Sequence, residues 1–305
     1  MSKNYGLPYM GSKNRIAKEL ITEIIWNEPN AQIFIDLFAG GCAMSHAALL
    51  SGKFKKVIAN DINAMPTLFK DAILGKYRDE KRWISRDEFH KLKDTDMYVK
   101  SCWSFGNNGR TYLYGRHLEP YKKAYHCAKA LGDFSLFNPF APYIEKELKD
   151  NNWRKYIKTN HERIKHDYSK WLLTDIKYSS SSLESLESLQ SLQRLQRLEN
   201  LSNILETSQG SYKDFKLPKA DECVIYCDIP YKGTAKYKHD GEKLEFDYEA
   251  FYNWVRDKAK QGYKIYISEY QMPSDFAEVL TIEAQSLLSS KSRKKVKERL
   301  FKYEY

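Results

Sequence analysis

The stretch from Gln32 to Asp61 constrains the fold of this chain most tightly. QIFIDLF (32–38) is a short apolar run rich in strand formers. It passes through Ala39-Gly40-Gly41 into AMSHAALL (43–50), a helical pattern closed by Gly52, and KVIAND (56–61) follows as a second strand ending in a carboxylate. Strand, glycine turn, helix, strand is the opening of a doubly wound α/β sheet, in which ligands bind at the carboxyl ends of the strands. The same grammar returns late in the chain: DECVIYCDIPY (221–231) reads as a buried strand running into a loop, DYEAFYNWVRDKAKQG (247–262) as a helix ended by Gly262, and YKIYISEY (263–270) as another strand. First and last thirds are therefore expected to form two halves of one sheet.

Between the halves the character changes. From about residue 76 to 178 aromatics are interleaved with Lys, Arg and His, which predicts an inserted second domain. Within it SCWSFGNNGRTYLYG (101–115) places Asn108-Gly109 between aromatic flanks, a β-hairpin signal. Leucines at 183, 186, 189, 192, 195, 198 and 201 then recur with a period of three. An α-helix turns about 100° per residue, so each step slips the stripe back by about 60°, and one straight helix could not keep all seven on one face. The stretch 179–209 is accordingly expected to be a repeat-expanded connector, partly helical and partly mobile. The predicted division is 1–75 plus 210–305 for the sheet, 76–178 for the insert and 179–209 between them. At the N-terminus, Ile16, Ala17, Leu20, Ile21, Ile24 and Ile25 recur at helical spacing, with Ser12 as the expected N-cap.

Composition narrows the function classes. Among 305 residues, 50 Lys and Arg stand against 40 Asp and Glu, a net +10, which suits an acidic partner such as nucleic acid without requiring one. The longest apolar runs fall far short of the roughly 20 residues that span a bilayer, and Met1–Met10 has no apolar signal region, so an intracellular location is expected. Five cysteines without a C-x-x-C pair indicate neither a disulfide framework nor a zinc site, and no metal is expected.

Two constellations carry chemistry. In DLFAGGCA (36–43), Gly40 and Gly41 allow close ligand approach at a helix N-terminus, and Asp61 follows Gly40 by 21 residues, near the roughly 20 expected of a carboxylate that takes a ribose hydroxyl pair. A glycine turn alone is equally a plain turn; the placed carboxylate raises an adenosine-containing cofactor above that reading. No P-loop is present. The other constellation is CDIPY (227–231), which alone would pass for a strand-ending turn.

Together these segments carry a resemblance. CDIPY resembles the D-P-P-Y motif of methyltransferases that use S-adenosylmethionine on exocyclic amines, YMGSK (9–13) resembles the W-x-G-x-K motif, DLFAGG the cofactor glycine motif, and NDIN (60–63) the acidic motif that holds the ribose. Their order matches the Dam-like (class alpha) adenine-N6-specific DNA methyltransferases over nearly the whole chain except the leucine repeat. Ile229 stands where the family has its first proline, Cys42 where it has the last glycine of the cofactor loop, and Tyr9 where it has a tryptophan.

The resemblance implies a Rossmann-like S-adenosylmethionine-dependent methyltransferase sheet interrupted by a smaller, mainly helical target-recognition domain with a β-hairpin. It implies S-adenosyl-L-methionine as cofactor, with Tyr9, Lys13, Asp36, Phe38, Gly40, Asp61 and Asp228 around it, and Asp228, Pro230 and Tyr231 as the catalytic loop acting on an adenine flipped out of double-stranded DNA. Asn108, Arg110, Tyr112, Arg116 and Lys122 are the expected DNA contacts on or beside the hairpin; for each, an ordinary solvated or packed role is the equal alternative. The C-terminal run KSRKKVKERLFK (291–302) either neutralises phosphates or forms a solvated basic face. A cytoplasmic, prokaryotic or phage-encoded enzyme follows, monomeric or weakly dimeric, with room for a restriction endonuclease partner. None of the five cysteines follows a proline, so the Pro-Cys nucleophile of carbon-5 cytosine enzymes is absent. Cytosine N4, RNA adenine or a protein amide as acceptor, and a catalytically impaired DNA-binding regulator, stand as the alternatives.

Overall fold

The computed structural model describes residues 5–9, 11–147, 153–173, 183–232, 238–239, 242–243, 246–285 and 295–303. Residues 179–182 of the expected connector and Lys291, Arg293 and Lys294 of the basic run lie outside the described residues. The chain divides into two compact units, one of Met1–Leu7, Gly11–Leu74 and Leu195–Tyr305, the other of Pro8–Met10 and Gly75–Arg194.

The first unit is built on a seven-stranded sheet. Its strands are β1 (Ile33–Asp36), β2 (Lys56–Asp61), β3 (Leu205–Gln209), β4 (Cys223–Asp228), β5 (Lys264–Glu269), β6 (Phe276–Gln285) and β7 (Lys295–Tyr303). In space they run β3-β2-β1-β4-β5-β7-β6. The first five are parallel, and β7 is antiparallel to both β5 and β6. Ile35 of β1 lies level with Ile58 of β2 and Ile225 of β4. From β1 the chain moves outward to β2 and β3, whereas β4 and β5 lie on the other side. The order therefore reverses between β1 and β4, which opens a crevice at their carboxyl ends.

Strands covered on both faces read as unbroken apolar runs, and this is why β1, β4 and β5 were legible. Ile35, Ile225, Ile267, Phe251 and Val255 belong to one core cluster; fully burying each such side chain stabilises by roughly 1.5–3 kcal/mol. The helices of this unit are α1 (Ala17–Asn27), α2 (Ala43–Ser51) and α3 (Met65–Ile73), with a C-terminal helix Tyr248–Lys260 whose N-cap Asp247 accepts from the Ala250 N–H. Gly52 closes α2 in the left-handed region at φ 65°, as its position predicts. Ser12 is not the cap of α1. Residues 14–16 form a turn whose amides of Ile16 and Ala17 bond to the Lys13 carbonyl, so the helix begins at Ala17. No helix among the described residues is long and apolar enough to cross a membrane.

The second unit is helical: α4 (Arg86–Leu92), α5 (Met97–Cys102), α6 (Glu119–Leu131), α7 (Tyr143–Glu147), α8 (Trp153–Thr159), α9 (His161–Leu172) and α10 (Glu184–Leu195). A full capping box, Ser85 with Glu88, starts α4. Many of its aromatics are core: Phe89, Tyr98, Trp103, Phe137 and Tyr168 are fully buried, and Trp83 stacks on Tyr114 with ring centres 5.6 Å apart.

One expectation takes a different form here and one is corrected. The hairpin expected near Asn108-Gly109 is a short antiparallel loop, with Phe105 donating to the Thr111 carbonyl and Leu113 to the Trp103 carbonyl, and it is not closed by a two-residue turn. Such a turn needs positive φ at both central residues, and Asn108 sits at φ −81°. Instead a short 3-10 turn (Phe105–Asn107) is followed by the Asn108 side chain accepting from the amides of Arg110 and Thr111, and one antiparallel bridge, Ser104 with Tyr112, closes the loop.

The described part of the leucine segment, from 183 onward, is packed structure. Leu183, Leu186, Leu189, Leu192, Leu195 and Leu198 are all buried. Along α10 the slipping stripe is covered over about half the helix circumference. Gln196–Ile204 then continues as a 3-10 helix. With about 3.0 residues per turn, that conformation keeps a period of three on one face. The segment ends as β3, an edge strand beside β2. β3 was illegible because LETSQ lacks an apolar run.

Candidate active site

Asp228 is the last residue of β4, and Asp36 the last of β1, so both stand at the crevice where the strand order reverses. The loop after Asp228 is held at four points. Ile229 is buried in the core cluster. Tyr248 donates its hydroxyl to the Pro230 carbonyl at 2.9 Å, and the Lys232 amide donates to Glu269 Oε2 at 3.1 Å. Tyr231 donates its hydroxyl to Glu298 Oε2 at 2.7 Å, and its ring meets Tyr270 edge-on with centres 4.5 Å apart.

Lys13 reaches this loop from the turn before α1. Its side chain is 7% exposed, and its ammonium lies 2.8 Å from Asp228 Oδ1, 3.8 Å from Glu298 Oε2 and 4.6 Å from the centre of the Tyr231 ring. Burial works against the charged amine, yet the Asp228 and Glu298 carboxylates outweigh it and hold its pKa above the ordinary value. Burial raises the Asp228 carboxyl, with Lys13 opposing and Glu298 adding to the rise. A buried charge left without a partner would cost several kcal/mol, so this pairing fixes where each group sits.

The glycine turn is locked from both sides. Gly40 donates its amide to Asp61 Oδ2 at 2.9 Å, while Asp61 Oδ1 accepts from the Asn63 amide at 2.8 Å. Leu7 donates its amide to the Gly41 carbonyl at 2.7 Å, and Gly6 donates to His46 Nδ1 at 2.9 Å. Gly6 adopts φ +72°, and a Cβ there would stand 2.3 Å from the Gly41 carbonyl oxygen. Gly6→Ala is therefore expected to destabilise the fold by about 2–4 kcal/mol, combining left-handed strain with a backbone clash; urea unfolding checks it, and an unchanged midpoint would show that the turn can move aside. Cys42 takes a left-handed conformation, φ 58°, at the helix start, which explains why the family places glycine there.

Asp36 is buried, and its Oδ2 accepts from both the amide and the hydroxyl of Ser45, at 2.9 and 2.6 Å. Burial pushes this carboxyl up to about 7 against those two hydrogen bonds, and the Asp228 and Asp61 charges push the same way. Phe38 packs against Tyr212, Phe246 and Phe251, with ring centres 5.4–5.9 Å away.

Of the residues singled out in the sequence, Lys13 touches both Asp228 and Tyr231, with Pro230 in the same loop, and Gly40 and Asp61 touch each other. Tyr9 is half-buried and belongs to the second unit. Two expected DNA contacts are corrected. Tyr112 is buried and donates its hydroxyl to the Ile84 carbonyl at 2.7 Å. Lys122 is 1% exposed, 3.6 Å from Glu184 and over the Tyr114 ring. An aromatic core took both side chains inside, which adjacency to a loop could not reveal. Arg110 and Arg116 are exposed, as is Phe105 at 64%. Sequence reasoning missed Glu298, Glu269, Gly6 and Ser45. Glu298 left one signal, a lone acid within a run of cations.

A family model for D12 class N6 adenine-specific DNA methyltransferases matches residues 9–300. No curated protein matches the sequence. Among solved structures, a Haemophilus influenzae protein assigned as a methylase is 11% identical, with 97% of this chain and 91% of that chain covered and a TM-score of 0.31. With the family match spanning nearly its whole length, the chain belongs to the D12 class N6 adenine-specific DNA methyltransferases.

Proposed function

We propose that the protein transfers the methyl group of S-adenosyl-L-methionine to N6 of an adenine rotated out of double-stranded DNA, within a specific short sequence. The observation that carries this reading is the Asp228 carboxylate at the end of β4, paired with Lys13 beside the Tyr231 ring.

The site's own residues fit that methyl donor. Three carboxylates, Asp36, Asp61 and Asp228, close β1, β2 and β4 around a glycine turn, a donor set that suits a ligand carrying positive charge and ribose hydroxyls. The Ser12 hydroxyl, next to Lys13, is buried with no hydrogen-bond partner among the described residues. We assign Asp61 to the ribose, Gly40 and Phe38 to the adenosine side, and Asp36 and Lys13 to the rest of the pocket.

S-adenosyl-L-methionine supplies an electrophilic methyl group on a sulfonium centre. The adenine amine is a poor nucleophile because its lone pair is delocalised into the ring. Asp228 and the carbonyl of Ile229 accept hydrogen bonds from its two N–H groups and favour the tetrahedral nitrogen as positive charge develops there. Pro230 is a weaker choice for the second acceptor, since its carbonyl already takes the Tyr248 hydroxyl. The substitution of proline by Ile229 leaves this chemistry intact, because every residue carries a carbonyl and the buried Ile229 side chain anchors the loop. Lys13 covers one face of the Tyr231 ring, and the other face stacks on the extruded base.

Incubation with methyl-labelled S-adenosyl-L-methionine and DNA, followed by digestion to nucleosides, is expected to give labelled N6-methyl-2′-deoxyadenosine. Bound cofactor with no labelled nucleoside would sink the proposal, and label on cytosine or on RNA would redirect it. Arg110 and Arg116 we assign to phosphates. Replacing either by Ala should weaken binding to all DNA sequences alike and reduce the salt slope of log K by roughly one; a sequence-selective loss would make that residue a base contact.

A further inference from the structure

Glu298 has no place in the motifs that identify the family, yet it touches two residues of the site. It lies on β7 two residues before the buried Leu300, so strand alternation turns both toward the interior. Its neighbours differ: Lys297 is exposed, and Arg299 pairs with Glu278 at 3.6 Å. One oxygen of Glu298, Oε2, accepts from the Tyr231 hydroxyl at 2.7 Å and faces the Lys13 ammonium at 3.8 Å. Lys13 thus stands between two carboxylates, closer to Asp228 at 2.8 Å. With Asp228 alone, the ammonium would hold the very oxygen that the target amine needs. With Glu298 present, a small shift of the lysine keeps a buried charge paired while Asp228 turns to the substrate.

We infer that Glu298 is a positioning residue for methyl transfer, taking over the Lys13 ammonium and fixing the Tyr231 ring by its hydroxyl so that Asp228 is released to the target amine. This rests on the reading that Asp228 accepts from adenine N6. The electrostatics agree. Burial raises the Asp228 carboxyl most and Lys13 lowers it, while Glu298 raises it further. Asp36 on β1 and Glu269 on β5 also interact with the Asp228 charge, as do Tyr226 and Cys227 on its own strand, Tyr231 in its loop and Tyr270 after β5. Of these groups, Glu298 accepts from the Tyr231 hydroxyl and faces the Lys13 ammonium with the same oxygen.

The test is steady-state kinetics of Glu298→Gln, Glu298→Asp and Tyr231→Phe on duplex DNA with adenine at the target position, and a separate duplex with 2-aminopurine there, which has no N6 amine to methylate, reports base extrusion. Glu298→Gln is expected to lower kcat by about 10–100-fold with KM for both substrates changed less than about threefold, the size of losing one well-placed charged contact. The acid limb of its kcat profile should move to lower pH, because the charge that held the Asp228 carboxyl up is gone. Glu298→Asp should recover part of kcat. Tyr231→Phe, which removes only the hydroxyl, should lower kcat without moving the acid limb, and combined with Glu298→Gln should cost less than the product of the two. A Glu298→Gln enzyme with wild-type kcat and an unmoved acid limb overturns the inference, as does a strictly multiplicative double variant. If Glu298→Gln does not fold, Tyr231→Phe decides: wild-type kcat and extrusion signal overturn it. A wild-type enzyme that transfers no methyl group fails the reading of function instead.

Discussion

Asp228→Ala is expected to eliminate detectable methyl transfer to adenine while leaving DNA binding at wild-type strength. Removing one preorganised group that stabilises developing charge typically costs 10²–10³ in kcat, about 2.7–4 kcal/mol. Here the loss should reach or exceed that range, because the same carboxylate is the nearest partner of buried Lys13 at 2.8 Å. Without it the lysine retains Glu298 at 3.8 Å, so the fold should survive and the two effects can be separated. Asp228→Asn, of the same volume, controls for packing. The measurements are labelled methyl transfer and DNA binding by fluorescence anisotropy at one fixed salt concentration, since affinities at different salt are not comparable. Retention of more than about a tenth of wild-type kcat by the Ala variant would remove Asp228 from the chemistry. Wild-type protein that binds DNA but transfers nothing would favour the regulator reading.

The second large effect is a dependence of stability on pH from Asp36. Its carboxyl is held at about 7 in the fold by burial, against about 3.9 in the unfolded chain. A pKa raised by folding contributes stability that is fully present below the unfolded value and is lost as pH rises through the folded value. The protein should therefore lose stability progressively from about pH 4 up to about pH 7 from this group, by up to about 4 kcal/mol in all. Asp36→Asn keeps an oxygen to accept from the Ser45 amide and hydroxyl without the buried charge. In urea unfolding at pH 5.5 and 8.5 the variant should show a flatter profile and greater stability than wild type at the higher pH. Parallel profiles for the two proteins would place the titration elsewhere.

Both effects depend on residues that were visible in the sequence, yet their partners were not. Asp36 and Asp228 stand out because each ends an apolar run that can only be a buried strand, next to a turn. Ser45 and Glu298 do not. Ser45 lies within a mostly apolar helix, and Glu298 lies in a basic run beside the exposed Lys297 and Arg299, which pairs with Glu278. The second unit shows the reverse error. Tyr112 and Lys122 were expected at DNA because the resemblance implies a DNA-entering hairpin there and both lie on or beside it. A long side chain with an apolar stem also suits an aromatic interior when a carboxylate, here Glu184, meets its head.

The amino-acid sequence alone determined β1, β2, β4 and β5, the helices α1, α2 and Tyr248–Lys260, the glycine turn, the loop CDIPY and with them the family. These depend on residues adjacent in the chain, since hydrophobic periodicity and turn preference are local. Tertiary structure alone decided that Lys13 sits between Asp228 and Glu298, that Gly6 braces the glycine turn, that the leucine segment is packed core, and that Tyr112 and Lys122 are buried. The reason is physical. Charge pairing and burial depend on which distant segments the sheet order brings together, and the strand that carries Glu298 reaches the loop of Asp228 only because β7 inserts antiparallel between β5 and β6.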